Sequence, residues 1–436
     1  MRRSPLEQLN ALSASRSSDR LSTSNDHATK VDDDAVAAVH KDMAIERISS
    51  ELGPILLDGQ PEMFGAGIRR SALDHFWEWA QRDLDQTEIS KINDVLGGQS
   101  QPDEREIERS LSKIVDIVSP IFAQNVADPE QKRRLTIQVG GVEVFDAIPT
   151  ILLAFSYISY IGTGANLGRE LSENEEPEAF IYALEHIDFP SNDIKSLWCQ
   201  TFATGVLRPD LLAAAIAKLS YASTEEAIKK SGYGEYVDAL ITNAQQQIEM
   251  IEKQTGIFRD IDLTCKAIDR FHHIARGLQF HLDLSKSSKW NISLERLVKR
   301  GANALSGKFV DVLQDVKKVL GPAPRGATSI MLDPADVLQA YNGLYIMAAT
   351  RSARESLAVN AVVERGWKDV GTALEAMVDR IFEHFKHSTG SDAFDNAQMD
   401  IVIKFCSIRF GVEYAAILRR NRDNILRRAG GMRASS

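Results

Sequence analysis

From Ala35 almost to the C-terminus, apolar residues return at every third or fourth position. That spacing restricts the chain to helices that each bury one face. Segments near 35–52, 70–84, 104–125, 177–187, 191–207, 210–220, 234–281 and 291–320 all carry the pattern. The punctuation agrees. Pro177-Glu178 and Pro209-Asp210 put a proline and an acid in a first turn, where a missing N–H costs nothing and the helix dipole favours an anion. Gly53-Pro54 and Gly97-Gly98 stand where helices should stop. The expected fold class is all-α, built of multi-helix bundle-like domains, with at most one short β-hairpin.

The hairpin, if present, is expected at 135–145. Leu135 to Val139 and Val142 to Phe145 alternate about Gly140-Gly141, a hairpin signature. Against it, Asp128-Pro129-Glu130 reads as a helix start, and Lys132, Arg133 and Arg134 sit near a helix end closed by Gly140. The balance favours helix.

The chain is long enough for two or three domains. The serine-rich stretch 1–33 buries too little to offset its ordering entropy and reads as a disordered tail. A main helical region is expected over 34–320, with a sub-boundary near 190. The run Gly321-Pro322-Ala323-Pro324-Arg325-Gly326 opens a linker over 321–333 that no helix can cross. Asp333-Pro334 then caps a new helix, and the last 102 residues hold no proline. A C-terminal long-helix unit is expected over 334–428, followed by a disordered basic tail over 429–436. Within it, Val359, Val362, Val363, Trp367, Val370, Leu374, Met377, Ile381 and Phe385 share one stripe, and 396–428 reads as a second long helix.

Three well-separated cysteines, Cys199, Cys265 and Cys406, argue against a disulfide framework and a thiolate zinc site, and they fit a reducing, cytoplasmic compartment. The formal charge of −10 is uneven, with +2 over 1–30, +5 over 414–436 and −17 between. An acidic body makes a nucleic-acid-binding domain a poor fit. Met1–Lys30 has no continuous apolar stretch, against a secretory signal, and Ala147–Gly168 is too interrupted for a membrane span and reads as a buried core helix.

Polar constellations are few. Of His272, His273 and His281 with Asp269, only His273 and Asp269 share a face, while Asp379, Glu383 and His387, with His384 beside them, could line one face and offer ligands to a divalent ion; both sets read better as ordinary helix faces. Asp83-Leu84-Asp85 opens like a calcium loop, but Glu88 stands where that loop requires glycine. Gly162-Thr163-Gly164-Ala165-Asn166-Leu167-Gly168 reads as a glycine-rich turn, but no strand precedes it and no phosphate-binding lysine follows. No metal or other cofactor is expected.

Residues 344–349 are apolar almost all round, so a charge nearby falls against a buried helix. Extending the helix through Tyr341 and Tyr345 brings Ser352 and Glu355 onto its apolar face, with Arg351 and Glu355 at pairing distance and Arg354 beside them. Arg409 and Glu413 repeat the spacing on the last helix. These seven residues, Tyr341, Tyr345, Arg351, Arg354, Glu355, Arg409 and Glu413, form a candidate buried polar cluster, structural or catalytic.

A second candidate is the arginine set Arg419, Arg420, Arg422, Arg427 and Arg428, suited to a partner or polyanion. The absence of interleaved aromatics weakens contact with single-stranded nucleic acid, and acidic membrane contact is a weak expectation.

The leading functional expectation is a non-enzymatic helical interaction or scaffold protein acting through protein–protein contacts, with homo-oligomerisation through the C-terminal helices as one form of it. The alternatives are a delivered, effector-type protein that uses a tail as its address, and an enzyme built on the Arg/Glu cluster.

Overall fold

The computed structural model describes residues 43–63, 67–98, 102–174, 176–254, 260–322, 332–357, 359–388 and 393–433. The tail at 1–33, much of the linker and residues 434–436 lie outside the described residues. The described chain is all-α apart from one pair of two-residue strands. It forms two compact units, one up to Asn243 and one from Ala244.

The first unit begins with helix α1 (43–51), a 3-10 turn Gly53–Ile55 and strand β1 (Leu56–Leu57), which pairs in parallel with β2 (Ile68–Arg69). Helices follow as α2 (Arg70–Asp83), α3 (Gln86–Gly97), α4 (Glu104–Ala127), α5 (Pro129–Gln138) and α6 (Val142–Ser156). Then come α7 (Ile158–Leu171), α8 (Glu178–His186), α9 (Asn192–Gly205), α10 (Pro209–Ser220) and α11 (Glu225–Lys230). Short polar side chains set the starts. Asp103 accepts from the Glu106 amide while Glu106 reaches back to the Asp103 amide, a capping box, and Asp128 accepts from the Glu130 amide at 2.8 Å. Asp85, from the calcium-loop-like run, is an N-cap whose carboxylate takes the Thr87 amide.

Phe76, Trp77, Phe155 and Leu111 are almost fully buried in one continuous core, each such side chain contributing about 1.5–3 kcal/mol of burial. At Gly140-Gly141 the chain is helical on both sides. The two glycines adopt φ of +102° and +128°, so the pair is a helix–helix corner rather than a hairpin. The apolar stretch 147–168 is divided at Tyr157 between α6 and α7, and no single helix among the described residues is long and apolar enough to cross a membrane.

The glycine-rich run 162–168 is the middle of α7 and not a turn. A Cβ on Gly164 would meet the Thr201 hydroxyl at 2.6 Å, one on Gly168 the Phe202 carbonyl at 2.6 Å, and one on Gly205 would overlap the Ala165 carbonyl. These glycines let α7 and α9 touch backbone to backbone.

Helix α12 (Gly234–Gln254) carries the division between units. The second unit continues with α13 (Ile261–His281), α14 (Lys289–Ser306), α15 (Lys308–Val319), α16 (Pro334–Ser352), α17 (Asn360–Ser388), α18 (Ala393–Phe410) and α19 (Val412–Arg433). Asp333 caps α16 by accepting from the Ala335 amide at 2.9 Å. Helix α16 packs on α13, α15, α17 and α18, which accounts for its apolar circumference. The stripe expected from Val359 to Phe385 is α17, with Val363, Val370, Leu374 and Phe385 fully buried, but Val362, expected on it, is exposed because it sits one position off the face that Val363 buries. The long helix expected over 396–428 is instead two, because Gly411 turns at φ +98° between Phe410 and Val412.

Candidate functional site

Helix α16 ends at Ser352, and residues 353–357 form turns before α17 begins. The helical face projected through Glu355 therefore stops short of it. Glu355 is exposed and pairs with Arg276 at 3.1 Å, not with Arg351. Glu413 is exposed in the first turn of α19, where the dipole favours it, and Tyr345 is 47% exposed. Tyr341 is half-buried, edge-on to Phe405 with ring centroids 4.8 Å apart, and the Lys404 ammonium lies 4.8 Å from its ring. Burial raises its hydroxyl pKa, so it stays protonated.

The three arginines of the set do meet. Arg351 Nε donates to Glu364 Oε1 at 3.1 Å, Arg354 lies 3.7 Å from the same oxygen, and Arg354 also donates to the Arg351 carbonyl. Arg351 and Arg409 both lie over the buried Trp367 indole, with guanidinium carbons 5.6 and 4.7 Å from the ring centroid. Arg409 Nε donates to the Trp367 carbonyl at 2.8 Å. Gly371 makes room for it, since a Cβ there would meet Arg409 Nη2 at 2.5 Å. Desolvation, and then the charge of Arg351, lower the pKa of Arg409.

The arrangement ties α16, α17 and α18 together through cation–π contacts and one shared carboxylate. Its chemistry is that of holding: a guanidinium stays charged and neither gives nor takes a proton in neutral water. Burial also pushes the nearby Cys406 thiol up to about 12, away from nucleophilic thiolate chemistry.

Sequence reasoning misses Glu364 and Trp367 as site residues. The helical period puts the tryptophan on the apolar stripe of α17, which is a true but incomplete description of it. A second contact is equally hidden. His272 Nδ1 and Ser356 Oγ share a hydrogen bond of 2.8 Å across 84 residues of sequence. Ser356 is buried in the turn after α16, and desolvation lowers the His272 pKa. Serine and histidine at this distance resemble the start of a nucleophilic site, but the hydroxyl is enclosed by the turn it anchors. Among the described residues no three His, Cys, Asp or Glu side chains converge for a metal ion.

The C-terminal arginines occupy α19. Arg422 pairs with Asp400 and with Asp423. Arg419, Arg420 and Arg427 are exposed with no ion-pair partner among the described residues, and Arg428 lies in the same helix. Ile417, 55% exposed, lies one turn before Arg420 on the side of the helix away from the buried Ala415 and Leu418, and Val412, 72% exposed, stands at the helix start. Neither protein-family models, nor curated proteins, nor solved structures give a match to this chain.

Proposed function

We propose that this chain is a non-enzymatic helical interaction protein that works through protein–protein contacts, with the outer face of α19 as its contact surface. The observation that carries this reading is the combination on that face. The large apolar side chain of Ile417 stands out in water one turn from Arg420, an exposed arginine with no ion-pair partner among the described residues. Isolated exposed apolar residues are ordinary, but apolar anchors beside arginine are the composition of protein contacts. The complementary partner is an acidic helix or strand with apolar residues of its own. The enzymatic alternative built on Arg351, Arg354 and Glu355 draws no support, because Glu355 lies on the surface with Arg276 while the two arginines are committed to Glu364.

Affinity purification of the full chain from the cells that make it tests the reading. A stoichiometric protein partner is expected, and Ile417→Asp with Arg420→Glu should release it without changing the thermal midpoint. A chain that purifies alone as a monomer overturns the proposal.

A further inference from the structure

Helix α16 is apolar almost all round, and its four neighbours cover only part of it. Ala340, Leu344, Ile346 and Met347 are buried against them. The side left open carries Pro334, Leu338, Tyr341, Tyr345, Ala348 and Ser352. Their spacing alternates four and three, which is the seam on which one helix packs lengthwise on another. Leu338 is 59% and Tyr345 47% exposed, with Tyr341 half-buried between them. No charged residue falls on this stripe, which runs the length of the helix, roughly 28 Å at 1.5 Å per residue. A helix apolar on every side belongs in an interior, so a seam of this length left in water marks a contact surface for another helix.

The charges that border the seam say which helix. On the α18 side the Lys404 ammonium lies 4.8 Å from the Tyr341 ring and has no carboxylate partner among the described residues. Asp400 stands one turn before it, and although it meets Arg422 its side chain is 64% exposed. On the α15 side Asp315 accepts from Gln339 at 3.0 Å, and Lys318, one turn on, meets Asp336 at 2.8 Å. Each border therefore presents an anion and then a cation along its helix. A two-fold axis across an antiparallel helix pair sets each border against its own copy with that order reversed, so that anion meets cation. The pattern is self-complementary, with an uncharged centre and alternating signs on either side.

We infer that the outer stripe of α16 is a self-association surface, on which the same helix of a second copy of this chain packs antiparallel, with Lys404 of each copy against Asp400 of the other. This surface is distinct from the α19 face and does not depend on it. A single helix seam is at the small end of stable interfaces, so the dimer forms reversibly with concentration.

Sedimentation equilibrium of the full chain across the micromolar range should show a monomer–dimer equilibrium. Leu338→Glu with Tyr345→Glu, which sets like charges across the seam, should weaken it at least tenfold without changing the thermal midpoint of the dilute chain. Leu338→Glu alone serves if the double variant does not fold. Lys404→Glu and Asp400→Lys should each weaken the dimer, and the two variants mixed in equal amounts should associate more tightly than either does with itself. Ile417→Asp with Arg420→Glu should leave the dimer intact, which separates this inference from the α19 reading. A monomer at every concentration, the result if another protein or residues 323–331 of the same chain cover the stripe, overturns the inference. So does a dimer indifferent to the folded Leu338 variant, or no gain on mixing the two charge variants.

Discussion

Two guanidinium groups share the Trp367 indole, and the tryptophan's backbone carbonyl fixes one of them. Because Trp367 is only 7% exposed, its removal deletes both buried area and the surface on which two charges rest. Trp367→Ala should lower stability by about 3–5 kcal/mol in chemical denaturation, and Trp367→Phe by clearly less, since a ring remains. A second residue-scale consequence concerns pH. Desolvation first, then the charges of His273 and Arg276, lower the His272 pKa from its ordinary 6.5. Between the folded and unfolded values the unfolded chain binds more protons, so stability present above pH 6.5 is lost as pH falls. The denaturation midpoint should drop on acidification through this range, and His272→Asn should flatten that slope.

At the scale of elements, the α7–α9 contact makes the sharpest contrast. Gly205→Ala forces a Cβ into the Ala165 backbone carbonyl and should cost about 1–3 kcal/mol through overpacking. Gly162→Ala, on the same helix run with open space around it, should instead stabilise by up to about 1 kcal/mol through helix propensity. Thermal midpoints moving in opposite directions check both. Asp103→Ala, which removes the capping box of α4, should cost about 1 kcal/mol in the same assay.

Much of this level is legible in the sequence. The stripe of α17 and the caps at Asp128 and Asp333 depend on residues within a few turns of one another. The end of α16 at Ser352 is not, because Arg354 and Glu355 are good helix formers. The turn there is anchored by Ser356 on His272, a partner far away in sequence. The glycine run of α7 misleads for a related reason. Glycine is read locally as a turn signal, whereas these glycines are set by the backbone of α9. Likewise Arg351 has good local partners in sequence, and only the packing of α17 brings Glu364 to it.

On the scale of the whole molecule, charge follows the two units. Residues 244–436 carry 28 Lys and Arg against 22 Asp and Glu, a net of +6, which leaves −16 for residues 1–243. The loudest break in the sequence, Gly321-Pro322, falls inside the second unit, where α15 and α16 on either side of it pack together. A basic unit ending in an exposed arginine helix suits an acidic partner, and the association should weaken as salt is raised. The most direct measurement compares the affinity of the co-purified partner for two variants of the full chain. Ile417→Asp with Arg420→Glu should weaken it at least tenfold, while Glu355→Gln should leave it unchanged. Loss of affinity in the Glu355 variant with none in the α19 variant would contradict the account.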